Sequence, residues 1–171
     1  MTASNKLLGL SVLAIIAFGA GMAFYGYNEA IYPVDTALGY LSRAESAQTP
    51  EDLADYVVKA KRALPGVGNP VWSFPTARTD FALIQAELDR ILSRANSISS
   101  LEVYSTEYNT GMWDMHASVK AIQEDLLESI PYLYVSFTNI IIGSVWIAVI
   151  LMVFLVMRRG RAKYREEYDK Q

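Results

Sequence analysis

Met112, Met115 and His116 come closest to a reactive constellation in this chain. They are spaced three and four residues apart, which on a helix sets them on one face. Two thioethers and an imidazole make a soft donor set suited to copper(I). The same spacing also describes a core stripe, where methionine fills gaps and a lone histidine satisfies a local hydrogen bond. The core reading is the ordinary one, and copper is the speculative alternative.

Little else offers chemistry. His116 is the only histidine and there is no cysteine, so a structural zinc site cannot be assembled. Gly66-Val67-Gly68 lacks the lysine and the strand–helix setting of a phosphate loop. Gly143-Ser144 falls inside an apolar run, not on a nucleophile elbow, and no local motif pairs a serine with His116. The expectation is a non-enzymatic chain with no cofactor. Glu51, Asp52 and Asp55, like Glu124, Asp125 and Glu128, read as solvated helical faces, with a cation or basic partner as the minority reading.

The elements that must carry these residues follow from the charges. Of 171 residues, 52% are hydrophobic and only 19% charged, against roughly 25% in soluble domains. No charge falls between Lys6 and Glu29, and none between Glu128 and Arg158. Each gap exceeds the roughly 20 apolar residues that span a bilayer. Two membrane-length segments flank one hydrophilic domain, which excludes a single soluble core, a disordered chain and a nucleic-acid binder driven by a large basic surface. Tyr25, Tyr27 and Tyr32 follow the first run, and Tyr132 and Tyr134 precede the second. Aromatic rings favour that level of a membrane. A cleaved signal peptide is the rival for the first segment, with Gly21-Met22-Ala23 as cleavage site and Phe24 as the new terminus.

The segment after Met157 holds six basic and three acidic residues, with Arg158, Arg159, Arg161 and Lys163 nearest the membrane. The region from Glu29 to Glu128 holds eight basic and fifteen acidic residues. The positive-inside rule puts both termini in the cytoplasm and the domain outside. The four basic residues also suit an anionic leaflet, each worth about 1 kcal/mol. With neither cysteine nor an Asn-x-Ser/Thr acceptor in the loop, a prokaryotic cell membrane is the expected location.

The outer region reads as four amphipathic helices. Ile31, Val34, Leu38, Leu41 and Ala44 extend the first crossing outward, past a kink at Pro33, to Ala47-Gln48. Thr49-Pro50-Glu51-Asp52 then starts a helix, whose face is Leu53, Tyr56, Val57, Ala60 and Leu64. A third begins near Thr76 or Thr79 and carries Phe81, Ile84, Leu88, Ile91, Leu92 and Ala95. The fourth runs from Leu101 through Tyr104, Tyr108, Met112, Met115, Val119, Ile122 and Leu126 to Ile130, and Pro131 bends it into the second crossing. The fold class is all-α: two transmembrane helices flanking an extracytoplasmic antiparallel four-helix bundle. Its parts are a cytoplasmic N-terminus (1–6), a first crossing (7–28), the bundle (29–133), a second crossing (134–157) and a basic tail (158–171).

This topology brings the connection between the second and third helices to the membrane-proximal side. That connection carries Pro65, Pro70 and Pro75 with Trp72 and Phe74. The two aromatics are expected to plug the lower end of the core, or else to touch lipid headgroups or a neighbouring subunit. Within the crossings, Ala17-x-x-x-Gly21 and Gly19-x-x-x-Ala23 give small-residue faces, and Asn139 offers a hydrogen bond. The crossings are expected to pack on each other with Asn139 near Gly21, or to receive another protein's helix. An uncharged membrane region argues against an ion path.

The layout of crossing, helical bundle, crossing and cytoplasmic segment over residues 7–157 resembles the four-helix-bundle extracytoplasmic modules of prokaryotic sensory receptors. The resemblance is one of architecture and carries no residue motif across. It implies ligand sensing, which here needs a partner to signal, since only fourteen residues follow Met157. The favoured reading is an accessory or structural subunit of a larger membrane complex. Its expected partners are membrane lipids, other integral-membrane subunits or a second copy, and no nucleic acid. A sensing module is the first alternative, and an accessory subunit of a copper-dependent membrane enzyme the second.

Overall fold

The computed structural model describes the backbone of residues 3–168 and the side chains of residues 9–159, and among these every regular element is a helix. The chain forms two compact units. Helices α1 (Ala3–Gly26) and α6 (Phe137–Tyr168) make one, and Tyr27–Ser136 makes the other.

In the first unit the helices are long and apolar enough to cross a membrane. Leu13, Ile16 and Phe24 on α1 and Ile147, Met152 and Val156 on α6 are exposed. Core helices of soluble proteins bury such side chains, whereas hydrocarbon solvates them without cost. The protein is a small all-α membrane protein.

The second unit contains α2 (Tyr32–Glu45), α3 (Pro50–Ala63), α4 (Phe81–Ile98) and α5 (Thr106–Tyr134). Helix α2 packs on α3, α3 on α4, α4 on α5 and α5 on α2, around one apolar core. Leu41, Leu53, Leu88, Met115 and Leu126 are its largest fully buried side chains, at least one from each helix.

Local chemistry fixes the helix ends. Thr49 accepts a hydrogen bond from the Asp52 amide at 3.1 Å, with Pro50 at the first helical position, so α3 starts where its sequence signal lies. Asp80, not Thr76 or Thr79, caps α4, accepting from the Ala82 amide at 2.8 Å. Thr76 and Thr79 instead belong to a short 3-10 turn at Ala77–Thr79 and its approach. Ser105 caps α5 through the Tyr108 amide at 3.1 Å. The expected start at Leu101 is therefore too early. Tyr104 has φ of 70°, a left-handed conformation that ends the apolar periodicity, and its side chain is 84% exposed.

Two prolines shape the remaining junctions. A wide π-type turn at Tyr27–Ile31 precedes Pro33, which has no N–H for the Glu29 carbonyl. Helix α5 runs through Pro131 to Tyr134. The chain breaks only at Val135 and Ser136, where the Ser136 amide bonds the Leu133 carbonyl at 3.3 Å.

Candidate functional site

The methionine–histidine constellation falls on α5, and each member has packing or a hydrogen bond to account for it. Met115 is fully buried and Met112 is buried beside it in the core. His116 is half-buried, and its Nε2 lies 3.0 Å from the Ala47 carbonyl in the turn between α2 and α3. That contact fastens the middle of α5 to the turn. Nearby, Gln123 Nε2 donates to Glu45 at 3.0 Å, reinforcing the same junction. Among the described residues, no three imidazole, thiol or carboxylate side chains converge in a way that could hold a metal ion.

The acidic residues of α5 have a defined neighbour. Arg78 reaches Asp125 at 2.6 Å and Glu128 at 3.5 Å, tying the connection before α4 to α5. The hydrogen bond that Arg78 Nε donates to Asp125 at 2.8 Å, followed by the charges of Asp125 and Glu128, raises the pKa of the Arg78 guanidinium above its ordinary value. Asp55 likewise pairs with Lys59 at 2.6 Å one turn along α3.

Within the first unit, the small residues of α1 divide into two sets. Trp146 of α6 lies against Gly19, and a Cβ there would come within 2.5 Å of its Nε1. That indole N–H points to the Ile15 carbonyl at 3.5 Å. Asn139 lies against Gly26, where a Cβ would collide with its Oδ1. Gly19 and Gly26 are seven residues apart, as are Asn139 and Trp146. Each larger residue fills a gap left by a glycine, in the manner of knobs entering holes. The expected pairing of Asn139 with Gly21 is thus replaced by one more than a helical turn away. The informative spacing was seven, and four-residue patterns obscured it.

Gly21 faces the other way, with nothing within 4 Å of a Cβ built on it. A recess of about 410 Å³ lies there, lined by Ala17, Phe18, Gly21, Met22, Tyr25 and Ile142. Ala23 is exposed as well.

The Trp72 loop differs from the plug expected of it. Trp72 is 57% exposed and Phe74 82%, while Val71 between them and Pro70 turns inward at 6%. Asn69 organises the backbone. Its Oδ1 accepts from the Val71 amide at 3.0 Å and from Thr79 Oγ1 at 2.9 Å, and its Nδ2 donates to the Thr76 carbonyl at 2.7 Å. Gln85 Nε2 donates to the Lys61 carbonyl at 3.0 Å, closing the end of α3. Trp72 Nε1 donates to the Val135 carbonyl at 3.1 Å. The loop therefore meets the C-terminal end of α5. Asn69-Pro70 was a visible turn signal, but the three-way knot that Asn69 ties could not be read from it.

Arg158 and Arg159 are exposed within α6, two to three turns before its end at Tyr168, whereas Arg161 and Lys163 lie outside the described side chains. No family model, curated protein or solved structure matches this chain.

Proposed function

We propose that this protein is a non-enzymatic, two-pass accessory or structural subunit of a larger membrane complex. The Tyr27–Ser136 unit acts as an antiparallel four-helix bundle on the extracytoplasmic face, and both termini are cytoplasmic. The observation that carries the reading is the open face of α1. One glycine set, Gly19 and Gly26, is filled by α6, while Ala17 and Gly21 border a recess that no side chain of the described residues fills. Small residues let a second helix approach closely in a bilayer, and the occupant of choice is a transmembrane helix of another subunit.

The tip of the bundle offers a second contact. Val103 and Tyr104 are exposed just before α5 and Trp113 two turns into it, and aromatic side chains of that kind anchor protein interfaces. Purification in mild detergent, with subunit stoichiometry measured by mass spectrometry, tests the reading. The expected result is stoichiometric recovery of integral-membrane partners with the wild-type chain and their loss with Gly21→Leu. A chain recovered alone, or partners indifferent to Gly21→Leu and to Trp113→Ala, would refute it.

A further inference from the structure

The connection from α3 to α4 has properties that neither a core plug nor a solvated loop requires. From Ala63 to Ala77 it carries no charged residue, fifteen positions in a region otherwise rich in charge. Three prolines restrict its backbone, and the Asn69 knot ties its two halves together. Such a loop is held in shape before it meets anything. It nevertheless presents Trp72 and Phe74 to the outside while burying the smaller Val71. A preformed loop with its largest apolar side chains outward is built for an apolar surface beyond the protein.

Its place in the chain identifies that surface. Trp72 is hydrogen-bonded to Val135, and Val135 stands two residues before Phe137, where α6 begins. Two residues reach at most about 7 Å. The indole is thereby kept close to the start of an apolar helix by covalent geometry alone. Exposed Tyr132 and Tyr134 border the same end of α5. Arg62 flanks the uncharged run beside Lys61, which pairs with Asp89, and Arg78, which pairs with Asp125 and Glu128, flanks it on the other side. Aromatic residues with basic neighbours are what the bilayer–water interface selects.

We propose that the Pro65–Thr76 loop is a preformed membrane-interface anchor, in which Asn69 fixes the backbone so that Trp72 and Phe74 enter the lipid headgroup region. The anchor rests on the reading of α1 and α6 as membrane crossings. It gives the outer unit a third attachment besides its two chain connections, and it limits tilting of that unit over the membrane.

The chain's three tryptophans supply their own controls. Full-length single-tryptophan variants retain Trp72, Trp113 or Trp146, the other two being replaced by Phe. Each is reconstituted into phosphatidylcholine–phosphatidylglycerol vesicles containing lipids with a nitroxide quencher at the headgroup or deep in the acyl chain. Trp113 lies 22 residues before Val135 on α5, about 33 Å along a helix. The expected pattern is Trp72 quenched mainly at the headgroup, Trp146 mainly by the deep probe, and Trp113 by neither. Trp72 behaving like Trp113 while Trp146 is still quenched overturns the anchor and leaves the membrane crossings standing. Deep quenching of Trp72 equal to that of Trp146 also overturns an interfacial position. Absence of quenching at Trp146 overturns the crossings, and the anchor falls with them.

Discussion

Trp146 lies against Gly19, its indole N–H directed at the Ile15 carbonyl one turn away. The contact joins α1 to α6 at a place where any side chain larger than hydrogen would displace the ring. Gly21, two residues on, faces open space. The same substitution at these two glycines should therefore have different consequences. Gly19→Leu is expected to destabilise the helix pair by about 1–3 kcal/mol, the usual range for overpacking. Gly21→Leu should leave stability unchanged within error. Thermal unfolding in detergent, followed through the near-ultraviolet dichroism of the tryptophans, separates them, and equal losses would contradict the assigned faces.

Asn69 supports a second expectation. It accepts two hydrogen bonds and donates one across the Trp72 loop. Asn69→Ala leaves the Val71 amide and the Thr76 carbonyl without that partner. Stability should fall by about 1 kcal/mol, the usual net worth of hydrogen bonds that water can partly replace. Cleavage by protease between residues 65 and 79 should become faster, while the core helices stay protected. Urea unfolding and limited proteolysis of the same sample check both. An unchanged cleavage rate would show that the prolines alone hold the loop.

The α5 constellation gives a third. Met115 is fully buried, so Met115→Ala is expected to cost about 2–5 kcal/mol, and the volume-conserving Met115→Leu less than about 1.5 kcal/mol. His116→Ala removes one hydrogen bond to the Ala47 carbonyl, worth about 1 kcal/mol. Copper(I) titration of the wild-type protein and His116→Ala should give the same weak binding. A tight site present only in the wild type would instead support the copper reading.

The helix ends invite a fourth, more local test. Thr49 and Ser105 each cap a helix through one side-chain oxygen. Thr49→Ala and Ser105→Ala are each expected to cost about 1 kcal/mol. Their effects should add, because the caps serve different helices with no shared partner. Unfolding of the single and double variants by urea measures this.

Much of the helical pattern was legible in the sequence because three–four spacing is imposed by burial on one side. Val34, Leu41, Leu53, Val57, Leu88 and Leu126 all lie where that spacing placed them. Periodicity failed where apolar residues had another use. Leu101 and Tyr104 continue the α5 stripe on paper, yet a left-handed residue and the Ser105 cap set them outside the helix. Trp72 and Phe74 looked like core because they are large and apolar, but the smaller Val71 takes the inward position. The pairing of Asn139 with Gly26 and of Trp146 with Gly19 depends on the register between two helices, which no single segment encodes.

Everything proposed for this chain depends on the charged helical unit and the basic tail lying on opposite faces of a membrane. The sequence contains no cysteine, so single cysteines can be introduced without background. Gln48, exposed in the turn between α2 and α3, and Glu167 in the tail are the two positions to compare. Labelling of cells with a membrane-impermeant maleimide is the direct measurement. Gln48→Cys should react in intact cells, and Glu167→Cys only after permeabilisation. Both positions reacting in intact cells, or the tail alone, would contradict the proposed topology.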